Sequence, residues 1–316
     1  MRRFNSFGDY MRRRFGFNVY KVNIDAGFTC PNRDGTLGVT GCIYCNNESF
    51  KPSACMPTLT VREQVKKGIG YLRKRYGAER FLAYFQAYTN TYAPKETLIR
   101  LYSEAIEEPS VIGLAIGTRP DCIDEEKLRA ISEIAKERFV LIEYGVQSIY
   151  EKTLSFIQRG HDYKTFLKAI EMTKAMGISV GGHIIVGFPT ESKDEMLAMA
   201  SEISHSGVEF LKIHQLQVVK NTPLAVLYER EHFHIFDYDE YIDFIVDFIE
   251  RLSPDIVIQR LFATAPDAIL MAPRWGRSRH EILNDIERRL KERDTYQGRL
   301  FETTILSHPK DSSLPL

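Results

Sequence analysis

The sequence predicts an α/β fold in which parallel strands are covered by helices. Three observations lead there. Short apolar runs alternate with amphipathic helical stretches six times between residues 20 and 218. Capping residues, glycine or proline punctuate those stretches, as at Thr60, Pro109 and Gly177. The polar motifs fall directly after strand ends, where parallel-stranded folds carry their chemistry. Right-handed crossovers at this spacing give either a barrel or an open doubly wound sheet.

Residues 1–21 hold Arg2, Arg3, Arg12, Arg13, Arg14 and Lys21 against Asp9 alone. Such a segment suits phosphate neutralisation, or it is the solvated face of an N-terminal helix. Residues 20–24 alternate apolar and polar and read as the first strand. They lead into a glycine-rich loop, 29–45, that carries three of the five cysteines. Thr60 and Glu63 form a capping box that starts a helix running to 76. Strands follow at 81–86, 111–116, 139–146, 178–186 and 208–218, with helices at 95–107, 124–137, 163–176 and 192–206 between them.

Past Val218 the rhythm changes. Residues 222–252 read as helical and rich in Tyr, Phe and Asp, 255–260 as a further strand, and 281–293 as a charged helix. The expected organisation is a basic segment over 1–18, a core over 19–220, an extension packed on it over 221–305, and a disordered tail over 306–316.

Composition excludes several classes. The 316 residues balance 42 basic against 42 acidic side chains, so bulk charge gives no argument for a nucleic-acid partner. No apolar run reaches the ~18 residues that span a bilayer, and the start lacks a signal-peptide core. Five unevenly bunched cysteines do not form a disulfide framework. Together these predict a cytoplasmic protein with no membrane partner.

Cys30, Cys42 and Cys45, spaced Cys-x11-Cys-x2-Cys, are the candidate metal ligands. Thiolates select zinc or iron–sulfur clusters. A closed zinc site requires a fourth ligand, from Cys55, Cys122 or a distant histidine. A four-iron cluster on three cysteines leaves one iron open to another molecule. Spacing alone leaves both readings standing.

The chain resembles the radical S-adenosylmethionine (SAM) superfamily, of the Elongator catalytic-subunit type and the YtqA/YhcC (MnmL-type) group. The matching stretches, in order, are Cys30-Pro31-Asn32-Arg33-Asp34-Gly35-Thr36, Gly41-Cys42-Ile43-Tyr44-Cys45, Tyr84-Phe85-Gln86-Ala87-Tyr88-Thr89, Gly117-Thr118-Arg119-Pro120-Asp121-Cys122, Gly145-Val146-Gln147, Arg159-Gly160-His161 and His183-Ile184-Ile185-Val186-Gly187. The long first cysteine gap departs from the superfamily's usual CxxxCxxC and matches this subgroup. The resemblance implies a partial (β/α)6, TIM-barrel-like core with a mainly helical C-terminal extension. It implies a [4Fe–4S] cluster on Cys30, Cys42 and Cys45, with S-adenosyl-L-methionine on its open iron.

For cofactor contacts the resemblance implies Tyr44 over the cluster or adenine, Arg159 on the methionine carboxylate and Gln147 on the ribose or carboxylate. Residues 86–89 replace the Gly-Gly-Glu motif of many relatives, which leaves Thr89 and backbone carbonyls for the amino group. Glu143 shares a strand face with Gln147 and needs a partner, either Arg159 or the cofactor's ammonium, unless it is internal scaffolding. His183 is a polar contact on the fifth strand or a satisfied core histidine, and His214 carries the same ambiguity. Gly187 permits close approach of adenosine. Cys55 and Cys122 read as bystanders, although Cys122 falls on the active rim, where a thiol can donate hydrogen. Arg274-Trp275-Gly276-Arg277 mixes stacking and charge in a way that suits RNA.

The group resemblance implies conversion of 5-carboxymethylaminomethyl-(2-thio)uridine toward 5-aminomethyl-(2-thio)uridine at the tRNA wobble position. Its partners are then tRNA and an electron donor such as flavodoxin or ferredoxin. The alternatives are radical chemistry on a small molecule and, without catalysis, a zinc-stabilised RNA-binding module.

Overall fold

The computed structural model describes residues 2–46 and 58–302; Cys55 and the 306–316 tail lie outside them. Strands β1 (Val19–Ile24), β2 (Arg80–Phe85), β3 (Val111–Thr118), β4 (Phe139–Gln147), β5 (Ser179–Val186) and β6 (Phe210–Gln215) lie side by side in chain order, all parallel. A short β7 (Val218–Val219) leaves this sheet. After it, β8 (Val257–Arg260) returns beside β6 as a seventh parallel strand. β7 pairs antiparallel with β9 (Leu270–Ala272). The sheet curls into a half-barrel whose edges approach closely enough for Lys21 on β1 to donate to Gln259 on β8.

The two faces separate by alternation. Val140, Ile142, Tyr144 and Val146 of β4 join an outer core with residues of helices α2 (Val61–Tyr76), α3 (Lys95–Ile106), α4 (Glu125–Ala135), α6 (Tyr163–Ala175) and α7 (Lys193–His205). The intervening β4 residues face inward, and here the interior changes character along the barrel axis. Leu82, Phe139, Leu141, Phe210 and Val257 close the N-terminal end around Met11, which is wholly buried. Above them stand Tyr84, Glu143 and Lys212, and above those a cavity opens toward the C-terminal strand ends.

Met11 belongs to α1 (Phe7–Phe15), capped by Ser6, whose hydroxyl accepts from Asp9 N, and ended by Gly16 in the left-handed region. Its apolar face plugs the barrel. The basic residues around it already have partners: Arg2 with Glu287, Arg3 with Asp294, Arg12 with Asp9, Arg13 with Asn5, Arg14 over Phe139, and Lys21 with Glu143. These contacts favour the reading of residues 1–21 as the solvated face of an N-terminal helix over that of a phosphate-neutralising arm. α1 sits at the barrel end opposite the cysteine loop, and Lys21 points inside.

Three further differences have local causes. The strand expected over 208–218 breaks after Gln215, whose side chain pairs with the backbone of Ala263 instead of a neighbouring strand. The helical stretch 222–252 is two helices, α8 (Pro223–Glu231) and α9 (Tyr238–Arg251), separated where His232 adopts φ 46°. The short α5 (Glu151–Phe156) has no side-chain cap and is too brief to show a period. Helix α10 (Arg279–Glu292) follows β9 and packs on α9.

Candidate active site

The cysteine loop is folded by its own backbone. Arg33 N donates to Cys30 O at 2.8 Å, Leu37 N to Pro31 O at 2.8 Å, and Gly41 N to Asn32 O at 2.7 Å. Gly41 has φ 82°, and a Cβ there would lie 2.9 Å from Arg33 Nε, so this turn requires glycine. The residues between the first two cysteines serve the thiols. Asn32 Nδ2 lies 3.4 Å from Cys42 Sγ and 3.0 Å from Gln158 O, while Arg33 Nη2 donates to Cys45 O at 2.6 Å.

Cys30, Cys42 and Cys45 line one cavity of about 620 Å³, together with Tyr44, Thr89, Gln147 and Arg159. Arg159 is buried; its Nη1 lies 3.6 Å from Cys42 Sγ, its Nη2 donates to Gly145 O, and its Nε has no partner among the described residues. Gly145 makes this fit: a Cβ there would approach Gln147 Nε2 to 2.5 Å and Arg159 Nη2 to 2.8 Å. Gln147 sits at φ 72°, beside an irregularity in the β4–β5 pairing. A non-glycine residue held in that conformation is strained, and such strain concentrates at functional sites. Thr89 is buried on the opposite wall, where its N–H donates to Thr29 O at 3.2 Å. Tyr44 rests against Phe188, and burial with the nearby Cys42 pushes its hydroxyl pKa up.

These residues fit an iron–sulfur cluster and a carboxylate-bearing cofactor. Burial and the neighbouring Cys42 push the Cys45 thiol up, against the pull of Arg33, so holding Cys45 as an anion draws on neighbouring cations. Arg33, Arg119 and Arg159 ring the site, and Arg159 Nε and Arg119 Nη1 are buried donors without acceptors. Among the described residues no three His, Cys, Asp or Glu side chains surround a single metal ion. A cluster whose irons are spread apart does not need them to.

The radical SAM superfamily model matches residues 30–203, and the radical SAM C-terminal domain model matches residues 208–292. The chain belongs to the radical SAM superfamily. Its cofactors are accordingly a [4Fe–4S] cluster and SAM. Uncharacterized protein YtqA of Bacillus subtilis is 31% identical over 95% of this chain and 94% of its own length. A tRNA uridine(34) acetyltransferase of Methanocaldococcus infernus is 28% identical over 45% of this chain and 27% of its own. The solved Elp3 of M. infernus shares the fold with a TM-score of 0.68 at 18% identity, covering 88% of this chain and 64% of that one.

In this radical SAM barrel the remaining expected residues are distributed unevenly. Glu143 lines the cavity but does not meet Arg159. Its Oε1 accepts from Lys21 Nζ at 2.8 Å, and its Oε2 from Lys212 Nζ at 2.5 Å and from His183 Nε2 at 3.0 Å. Glu143 therefore has its partners inside the barrel, in Lys21, Lys212 and His183, and does not pair with Arg159. Burial and Lys212 push the pKa of His183 down to about 4, so it is neutral at pH 7. His214 also lines the cavity, with its Nε2 buried and without a partner among the described residues.

Cys122 sits in a 3-10 turn, Pro120–Cys122, and does not reach the cavity wall. Its carbonyl accepts from Thr91, and burial and Asp121 push its thiol up to about 12. The structure therefore gives no geometry for Cys122 as a hydrogen donor. Gly187, at φ 98°, packs on Phe236 instead of the cavity. Trp275 is half-buried: its indole N–H donates to Phe236 O at 3.1 Å and its ring packs on Tyr241, while Arg274 and Arg277 stay exposed.

Sequence reasoning missed Asn32, Arg33, Tyr84, Lys212 and Arg260. A signal was present for one of them. Lys212 alternates with apolar Leu211 and Ile213 in a buried strand, and a charge there must have a partner.

Proposed function

We propose that this chain is a radical SAM enzyme that modifies a tRNA wobble uridine, converting 5-carboxymethylaminomethyl-(2-thio)uridine toward 5-aminomethyl-(2-thio)uridine. The observation that carries the reading is one cavity with three thiols at its rim, a guanidinium with a free Nε beside them, and a polar floor. The uridine(34) chemistry named for a relative over part of this chain supports the substrate class.

Cys30, Cys42 and Cys45 hold the cluster. Bound there, the cluster and SAM would supply a 5′-deoxyadenosyl radical; a hydrogen atom taken from the carboxymethyl carbon beside the amine, and one electron then passed to the oxidised electron carrier, would leave an imine that water splits into the 5-aminomethyl group and glyoxylate. Arg159 and Gln147 hold the methionine carboxylate and ribose, and a guanidinium fork suits a carboxylate. Thr89 and neighbouring carbonyls take the amino group, and Tyr44 covers the cluster from water. Leu37, Val39 and Tyr88, large apolar residues left exposed near the rim, form the mouth through which an unstacked base enters. A small electron-transfer protein such as flavodoxin or ferredoxin supplies the electron. Under this reading the core over 19–220 carries the cofactors and the 221–305 extension closes the cavity through β8.

The test is anaerobic reconstitution with reductant, SAM and total tRNA, followed by nucleoside mass spectrometry. The expected products are 5′-deoxyadenosine and an altered wobble uridine. Formation of 5′-deoxyadenosine with an unchanged wobble profile would overturn the tRNA assignment and leave a small-molecule substrate.

A further inference from the structure

The interior of the barrel holds more positive charge than it neutralises. Lys21 and Lys212 flank Glu143, whose two oxygens are spent on the lysines and His183, and Arg260 stands beside Lys212. Arg260 has no carboxylate partner among the described residues, yet it lines the cavity beside Lys212, its register partner across β6 and β8. It repels Lys21, Lys212 and His214, and also Arg279 on the same wall. His214 adds a buried ring nitrogen with nothing to bond. Unpaired charge of one sign in a confined space destabilises the fold unless an anion joins it.

The cofactor site does not draw on this group. The rim cations act on other partners: Arg33 on Cys45, Arg119 on Asp121 and Cys30, and Arg159 on Tyr44 and Cys42. Two separate cationic zones therefore share one cavity, one around the thiols and one on the floor.

We propose that Arg260, with Lys212 and His214, forms an oxyanion subsite on the cavity floor that anchors a carboxylate or phosphate of the substrate. This rests on the reading that substrate occupies this cavity. A guanidinium gives paired charge-assisted hydrogen bonds, the lysine an ammonium, and the neutral imidazole a further donor. The carboxymethylamino group of the proposed nucleoside ends in such a carboxylate, and its amine would then lie toward the thiols. A phosphate-bearing small molecule presents the same chemistry.

The probes are N-methylglycine and inorganic phosphate, each titrated into the reconstituted full chain, with thermal unfolding as readout. N-methylglycine is expected to raise the wild-type Tm saturably. Arg260→Gln should weaken that response ~10-fold or more, and Arg260→Lys should retain part of it. Without any anion, Arg260→Gln should unfold at a higher temperature than wild type, because it removes a repelled cation. A purely structural arginine would give the opposite sign. A shift with phosphate alone supports the subsite and assigns it to a phosphate. A lowered Tm in Arg260→Gln with an unchanged probe response overturns the proposal. So does loss of the N-methylglycine shift on saturation with SAM, since the anion would then be the cofactor's own carboxylate. An unaltered wobble profile alongside Arg260-dependent anion binding would remove the tRNA reading and leave the subsite standing.

Discussion

Glu143 and Lys212 meet at 2.5 Å in the middle of the barrel, where the carboxylate is fully buried and the ammonium nearly so. The pair lies where glycines flank Glu143 on both neighbouring strands, Gly117 on β3 and Gly181 on β5. A Cβ at Gly181 would stand 3.2 Å from Glu143 Cγ, so the small neighbours keep the carboxylate's place open. One anion thereby organises Lys21, Lys212 and His183 beneath the cofactor site.

Glu143→Gln is expected to destabilise the protein by about 3–5 kcal/mol, because it strands buried cations. Replacing Lys212 by Met in the same chain should recover part of that loss, since the stranded charge is then gone. Urea unfolding of the two single variants and the double variant measures the coupling. Additive losses would mean that the two residues act independently.

That tetrad marks how far the sequence was legible. Glu143 could be read as buried because it interrupts an otherwise apolar run from Phe139 to Val146. Its partners could not, because Lys21 looked like part of a basic segment; nor could Arg260, which stands beside Lys212 in a strand whose neighbour was unassigned. Pairing between β6 and β8 joins residues 47 or 48 positions apart, and no local signal specifies it. The cysteines were legible for the opposite reason: three thiols on one loop are constrained by local chain geometry. Asn32 and Arg33 were hidden because their targets, Cys42 and the Cys45 carbonyl, are set by how the loop folds back.

Cys30→Ala, Cys42→Ala and Cys45→Ala should each abolish the broad absorbance near ~400 nm of the reconstituted protein, together with 5′-deoxyadenosine formation. Cys122→Ala should keep both, because its sulfur lies off the cavity wall. Iron and sulfide analysis of the four variants checks this. Cluster loss in Cys122→Ala would mean that the 3-10 turn moves to ligate.

The pH dependence of stability should carry the mark of His183. Burial and Lys212 hold its pKa near about 4 in the folded protein, against an ordinary value of ~6.5 when unfolded. Between these values the unfolded chain takes a proton that the folded chain refuses. Stability is therefore full above ~pH 6.5 and falls as the pH drops toward 4, by about 3 kcal/mol for this group. The groups facing it are Glu143, Lys212, His214 and Arg260. His183→Gln keeps a donor toward Glu143 and cannot titrate. Denaturation at pH 7 and pH 5 should show the wild-type decline reduced by about 2 kcal/mol in this variant. An equal decline in both proteins would place the titration elsewhere.

Arg159 offers the sharpest separation between holding the cluster and holding SAM. Its planar fork spans Cys42 Sγ and the Gly145 carbonyl while Nε stays free. Lysine keeps the charge but has no fork, so Arg159→Lys should retain iron and weaken SAM binding ~10-fold or more. Gly145→Ala attacks the same contact from the backbone. The added methyl would come within 2.8 Å of Arg159 Nη2 and 2.5 Å of Gln147 Nε2, so both side chains must turn away. It should therefore weaken SAM binding while preserving all charges and all three thiols. Equilibrium binding of SAM to the iron-loaded variants, with iron content measured on the same samples, checks both outcomes. If Gly145→Ala binds SAM as the wild type does, the positions of Arg159 and Gln147 do not govern the cofactor. If Arg159→Lys loses its iron, the contact with Cys42 is the dominant role of the guanidinium.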